Sequence, residues 1–247
     1  MMGSAAMPQS RMRAWLDLAR AGNFPSVWSN VVAALVLSHA FIGAWPSPAV
    51  LVLTLIAGSL AYAGGTTLND VADVRFDSVH RPERAIPRGI VARSTAAWVG
   101  GAELLLGLGL LVAIGASPFV AAGLAVTIVL YDWIHKHWSG SIVLMAGCRV
   151  LLALTIASLP EHDYRTAFLV WIAALFVYIV GLSWLARREY TAGAKGEKLG
   201  RQVGRLLAFI PLVDAIALMA VGAWWPALAC AAAVPLGRWA QRRAAST

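Results

Sequence analysis

Eight apolar runs, each close to the length of a membrane span, constrain this chain more than any other feature. They cover approximately residues 27–45, 49–68, 95–115, 117–134, 141–160, 166–186, 204–223 and 224–240. A hydrocarbon core about 30 Å thick takes about 20 helical residues to cross. Eight such runs use most of the 247 residues and leave no room for a separate soluble domain. The last is the least regular, because Trp224, Trp225, Pro226 and Pro235 lie in it. The expected fold is therefore all-α: a polytopic transmembrane helical bundle of about eight spans, forming one membrane-embedded domain over 1–247. Composition agrees. The chain is 60% hydrophobic and 13% charged, against roughly 45–50% and 25% in soluble domains. That excludes a disordered chain and argues against a soluble enzyme. The first 26 residues carry Asp17 and no secretory h-region. Within them, 11–23 reads as an amphipathic lead-in on the membrane surface.

The charges fix an orientation. Eighteen of the twenty Lys and Arg residues fall in one alternate set of connections: before the first span, in 69–94, 135–140 and 187–205, and after the last span. The opposite turns are short and carry only Arg165. The positive-inside rule then places both termini and the long loops in the cytoplasm. Trp45, Trp133, Trp138, Trp184, Trp224 and Trp225 fall near span ends, as interfacial anchors do. The net charge of +8 therefore belongs to loops beside membrane helices. No aromatic-interleaved basic groove suggests nucleic acid, and membrane lipid is the expected neighbour of the terminal clusters. Cys148 and Cys230 lie inside spans and read as packing residues.

One loop is different. Asn69-Asp70-Val71-Ala72-Asp73-Val74-Arg75-Phe76-Asp77 closes the second span. Its three aspartates are spaced three and four apart, which puts them on one face of a helix. Crowded carboxylates repel, and a hard divalent cation such as Mg²⁺ relieves that repulsion while also binding phosphate. Arg81, Arg84 and Arg88 follow at once, and guanidinium forks suit phosphate oxygens. An acidic face followed by arginines reads either as a metal–diphosphate site or as a solvated, salt-bridged loop.

The Asn-Asp-x-x-Asp-x-x-x-Asp run, followed by Glu83-Arg84-x-Ile86-Pro87-x-Gly89, resembles the first signature of the UbiA superfamily of intramembrane prenyltransferases. The order of spans is similar over most of the chain. The resemblance implies Mg²⁺ as cofactor, and an isoprenyl diphosphate and a lipid-soluble, often aromatic, acceptor as substrates. It implies Asp70, Asp73 and Asp77 as metal ligands, with Glu189 as a further one. It also implies Asn69 and Arg84 as substrate contacts. Beside it, Tyr131, at the end of the fourth span, joins Asp70 and Asp73 in the catalytic set. Arg81, Arg88, Lys136 and Asn23 are further candidate substrate contacts.

The chain departs from this pattern in three places. The family's second aspartate motif, at the end of the sixth span, is replaced by Ser183-Trp184-Leu185-Ala186-Arg187-Arg188-Glu189. Arg187 and Arg188 there read as cytoplasmic anchors or as substitutes for one metal's charge. The family's Tyr-x-x-x-Lys becomes Tyr131-Asp132-Trp133-Ile134-His135-Lys136, with the lysine one place late. Eight spans stand where the family usually has nine. These departures resemble the EboC-like subgroup. They imply an alternative to the transferase: a catalytically silent membrane protein that binds or helps export a lipid-like metabolite. Inside the spans, Glu103 and Arg149 read as an ion pair, or Arg149 as facing the acceptor. Asn30 and His39 read as interhelical hydrogen-bonding or packing residues.

Overall fold

The structure, a computed structural model, describes residues 10–39, 45–189 and 196–244, without the side chains of 189, 196–199 and 201. Each expected span coincides with a helix among the described residues, although the first, read as 27–45, is helical only to Ser38. An eight-residue helix, α1 (Arg11–Leu18), opens the chain, capped by the Ser10 side chain, and a 3-10 turn at Ala21–Asn23 leads into α2 (Phe24–Ser38). Then come α3 (Pro48–Ala72), the short α4 (Val74–His80), α5 (Arg93–Ala113), α6 (Pro118–Ile134), α7 (Ser141–Ile156), α8 (Thr166–Glu189), α9 (Gly196–Ala220) and α10 (Trp224–Gln241). By length and composition, α3, α5, α8 and the 202–220 part of α9 can cross a membrane unaided, while α6 and α7 are shorter apolar helices.

Proline and serine set several of the starts. Ser47 accepts a hydrogen bond from the Val50 amide, and Pro48 sits at the first helical position of α3, where its missing N–H costs nothing. Pro118 begins α6 in the same way. The helix that carries the acidic motif runs further than the apolar run alone indicates. It continues to Ala72, breaks at Asp73, and resumes as α4.

The core is one apolar cluster shared by α2, α3 and α5–α10, with Phe168 and Trp171 among its fully buried side chains. Small residues allow the helices to meet. A Cβ on Gly64 of α3 would lie 2.5 Å from the Leu104 nitrogen, and one on Gly107 of α5 would lie 2.6 Å from the Ala61 nitrogen. Such backbone contact is typical of association in lipid, where dispersion rather than hydrophobicity drives packing. A second, smaller cluster pins the loop after α4: Ala85, Ile86 and Val91 pack on Ala14 and Leu18 of α1. On the far side of the bundle, the 157–165 turn latches onto the end of α2. The Asp163 amide donates to Ser38 O at 2.7 Å, and Arg165 Nη1 donates to His39 O at 3.1 Å. The six tryptophans read as interfacial anchors are all exposed, between 49% and 76%.

The buried polar groups inside the bundle pair differently from expectation. Glu103 and Arg149 do not meet. Glu103 faces a groove beneath α1, where its Oε2 has no hydrogen-bond partner. Arg149 instead bonds to α2. The reason is packing: α5 lies against α3, so α3 separates the two side chains. Asn30 does bridge helices, since its Nδ2 donates to both oxygens of Asp214 on α9 at 3.0 and 2.8 Å. Trp171 Nε1 on α8 donates to the same carboxylate at 2.9 Å. Asp214 is completely buried, and these donors offset the cost of removing it from water.

Candidate active site

A cavity of about 500 Å³ opens at the end of the bundle where α3 and α6 finish and α7 begins. Its inner wall is apolar, formed by Ala61, Leu124, Ile128, Leu152, Ile179 and Ile210. Its mouth is charged: Arg20, Asp73, Arg81, Arg84, Asp132, His135, Lys136 and Arg187 line it. Helix direction produces this gradient. Polar residues fall in the last turns of α3, α6 and α8, and apolar ones lie one to three turns further in.

The acidic motif is buried. Asp70, Asp73 and Asp77 are 6%, 5% and 2% exposed, so each needs a nearby countercharge. Arg84 Nη1 donates to Asp70 Oδ1 and Asp77 Oδ2, both at 2.9 Å. Arg20 Nη2 donates to Asp70 Oδ1 at 2.8 Å. Arg20 itself sits in a left-handed conformation, φ 49° and ψ 43°, which costs roughly 1–2 kcal/mol for a residue with a side chain. The ion pair with Asp70 helps to hold that turn. Asp73 pairs with the next helix: His135 Nε2 lies 3.1 Å from Oδ1, and Lys136 Nζ lies 3.0 Å from Oδ2. Burial pushes the Asp73 carboxyl up, but its hydrogen bond to His135 and the charges of His135 and Lys136 outweigh that and leave it below its ordinary value. Asp77 is shifted the other way. Burial raises it, opposed by Arg84 and reinforced by the charges of Asp70 and Asp73.

Of the residues expected in the site, Asn23, Asn69, Asp73, Arg81, Arg84, Tyr131 and Lys136 line the cavity. Asp70 and Asp77 stand behind the wall and hold Arg20 and Arg84 in place. Arg88 stays exposed and outside the cavity, because the buried Ala85 and Ile86 pin the turn that carries it. The Glu189 side chain lies outside the described residues. Asn69 Nδ2 donates to Asp132 Oδ1 at 3.0 Å, and Asn23 Nδ2 donates to the Tyr62 hydroxyl at 3.0 Å. The Tyr131 ring stacks on His135, with centroids 4.8 Å apart.

Sequence reasoning missed three contributors: Arg20, Tyr62 and Asp132. Arg20 looked like one more orienting charge, although its position just before Asn23 and the first span was a usable signal. Asp132 was visible as an acid in the last turn of a span beside Tyr131. Where the second aspartate motif is missing, Arg187 Nη2 donates to His135 O, Trp138 O and Ser141 Oγ at 2.6, 2.9 and 2.7 Å. A cation there matches the negative end of α6 and ties α8 to the α6–α7 connection.

The donor set suits a hard cation. Two carboxylate oxygens, from Asp70 and Asp77, already converge on one cationic nitrogen at 2.9 Å each, and Asp73 faces the cavity one turn away. In this arrangement, however, no group of three or more His, Cys, Asp or Glu side chains among the described residues is placed to hold a metal ion. In general, carboxylates bind Mg²⁺ together with phosphate oxygens rather than by themselves.

Comparison with known proteins agrees with this geometry. Over 123 residues the chain is 36% identical to the digeranylgeranylglyceryl phosphate synthase of Thermococcus gammatolerans, which covers 49% of this chain and 44% of the relative. The corresponding protein of Metallosphaera sedula is 30% identical over 137 residues, covering 55% and 48%. The matched stretches thus span less than half the length of these relatives. Two solved structures share the fold at 15% identity. A structure of digeranylgeranylglyceryl phosphate synthase has a TM-score of 0.62 and covers 94% of this chain and 95% of that one. A UbiA homologue from Archaeoglobus fulgidus, bound to DMAPP and Mg²⁺, has a TM-score of 0.59 and covers 92% and 98%. Residues 27–246 match the UbiA prenyltransferase family over nearly the whole bundle, with the acidic motif buried at the cavity mouth, and the chain belongs to that family.

Proposed function

We propose that the protein is an integral membrane prenyltransferase that moves an isoprenyl group from an isoprenyl diphosphate to a lipid-soluble acceptor, with Mg²⁺ as cofactor. The observation that carries this reading is the gradient in the cavity: a mouth of guanidinium, ammonium and carboxylate groups continuous with an apolar inner wall. That is the shape and polarity of a molecule with a diphosphate head and a hydrocarbon tail. The relatives' name denotes a prenyl transfer, and the Archaeoglobus homologue was solved with DMAPP and Mg²⁺.

Asp70, Asp73 and Asp77 would hold Mg²⁺, which supplies charge neutralisation for the diphosphate. Arg81, Arg84 and Lys136 bind the phosphate oxygens, and Asn69 orients Asp132 beside them. As the allylic C–O bond breaks, its electron pair leaves with diphosphate, and these cations stabilise the developing negative charge. Tyr131 offers its ring to the positive charge left on the allylic carbon. The apolar wall excludes water, so the acceptor rather than water takes the carbon. The acceptor's nucleophilic atom forms the new bond and loses its proton. The mouth faces the cytoplasm in this reading, because the basic loops surround it.

Pyrophosphate release decides the matter. Purified protein is given geranyl, farnesyl and geranylgeranyl diphosphate with a panel of acceptors, with and without Mg²⁺. Release that requires Mg²⁺ and is lost in Asp70→Ala and Asp73→Ala is the expected result. A second reading, a silent binding protein, is favoured by one observation: guanidiniums already occupy Asp70 and Asp77. Tight donor binding with no release for any pair would establish that reading instead.

A further inference from the structure

We infer that the groove beneath α1 binds a long-chain alcohol, with Glu103 accepting the hydrogen bond of its hydroxyl. The site is separate from the cavity described above and does not depend on the transferase reading. Trp15 and Leu16 of α1, Phe24 at the start of α2 and Leu60 of α3 line it. Helix α3 divides it from the cavity: Ser59, Leu60 and Ala63 line the groove, and Ala61, Tyr62, Gly65 and Thr66 line the cavity.

The polar chemistry of the groove comes down to one atom. Glu103 stands near the middle of α5. Its Oε2 is buried and has no hydrogen-bond partner, and among the described residues no cation lies within ion-pair distance of the carboxyl group. Such an oxygen has given up its hydrogen bonds to water and received none in return, and an ionisable group inside a span marks a site of function. The other polar side chain of the groove, Ser59, is already engaged. Its Oγ accepts from Trp28 Nε1 at 2.9 Å and donates to Leu55 O at 2.7 Å. The groove therefore offers one unmet acceptor in a wall of carbon. A hydroxyl brings one hydrogen to meet it. An ammonium brings three and would bury the others among apolar side chains, and an ether brings none. The aromatic and aliphatic walls suit a hydrocarbon body. At the rim, Met12 and Leu16 are 75% and 44% exposed, an apolar surface that the chain of the alcohol would cover. The occupant also rests behind the segment that serves the cavity, since Ala19 and Phe24 line the groove while Arg20 and Asn23 line the cavity.

The test reads the groove from its rim. In a background with Cys148 and Cys230 replaced by alanine, Met12→Cys carries a trifluoromethyl tag. Val170→Cys on α8, exposed and not part of the groove, carries the same tag as a control. The full-length protein in lipid nanodiscs is titrated with dodecanol, dodecyl methyl ether and dodecylamine, and the fluorine shift is followed against mole fraction in the bilayer. Dodecanol is expected to give a saturable shift at position 12 and none at position 170. Its half-saturation is expected at about one-tenth of the mole fraction that the ether requires, the size of one hydrogen bond. Glu103→Leu is expected to abolish that preference, and Glu103→Gln, which keeps an acceptor oxygen, to retain most of it. Equal half-saturation for alcohol and ether overturns the proposal, as does the same shift at both tagged positions, which is the behaviour of unspecific bilayer lipid. A preference that survives Glu103→Leu overturns it too, and tighter binding of dodecylamine assigns the groove to a cation instead. Glu103→Met takes the place of Glu103→Leu if the latter does not fold. Pyrophosphate release plays no part in these readouts, so a failed transferase reading leaves the groove assignment intact.

Discussion

At the scale of single residues, the site is a set of buried charges that compensate each other in pairs. Arg84 carries the largest share, because one of its nitrogens serves two buried aspartates. Among the described residues, Arg84→Ala leaves Asp77 with no cation in ion-pair range and Asp70 with Arg20 alone. Breaking a buried pair costs about 3–5 kcal/mol, so a marked fall in the unfolding temperature in detergent is expected, with Arg84→Lys recovering part of it. An unchanged midpoint would mean that these charges are solvated. The triplet Asp70, Asp73 and Asp77 was legible in the sequence as a cluster within two helical turns, but the break at Asp73 turns that carboxylate to the cavity and leaves Asp70 and Asp77 on Arg84. The partners of the three were not legible. Arg20 is fifty positions away from Asp70 and His135 is sixty-two from Asp73, and no local spacing rule reaches that far.

At the scale of elements, the sequence located a helix for each apolar run, since a run of this length has few other uses. It did not locate the break at Asp73, which depends on where the polar end of α3 can be satisfied. Nor could it tell which glycines matter. Gly64 and Gly107 sit at direct backbone contact between α3 and α5, whereas Gly101 and Gly109, on the same α5, would meet nothing within 4 Å if given a Cβ. Gly64→Ala and Gly107→Ala should therefore each lower stability by about 1–3 kcal/mol, the usual cost of overpacking, and Gly101→Ala and Gly109→Ala should be neutral or slightly stabilising. Thermal unfolding of the four variants separates these outcomes. Similar shifts in all four would show that the α3–α5 contact is not tight. Because α3 carries Asn69 and Asp70 at its end, the first pair should also weaken donor binding.

At the scale of the whole molecule, the basic connections that follow α3 and α6 lie at the cavity end. We propose that the cavity end is cytoplasmic. In a background with Cys148 and Cys230 replaced by alanine, Arg88→Cys should react with a membrane-impermeant maleimide in inside-out vesicles, and Ser47→Cys should react in intact cells. The reverse labelling would invert the topology. The sequence by itself determined the class of fold, the order of the spans, the acidic motif and the family, because each depends on local composition or on spacing within one or two helical turns. Only the tertiary structure decided that Asp70 and Asp77 stand behind arginines and that Asp132 and Arg187 belong to the mouth. It also decided that Arg149 turns to the cavity rather than to Glu103. Those outcomes depend on which helices pack together, and in a bundle of similar apolar helices the pairing is set by small residues and buried polar contacts far apart in the chain.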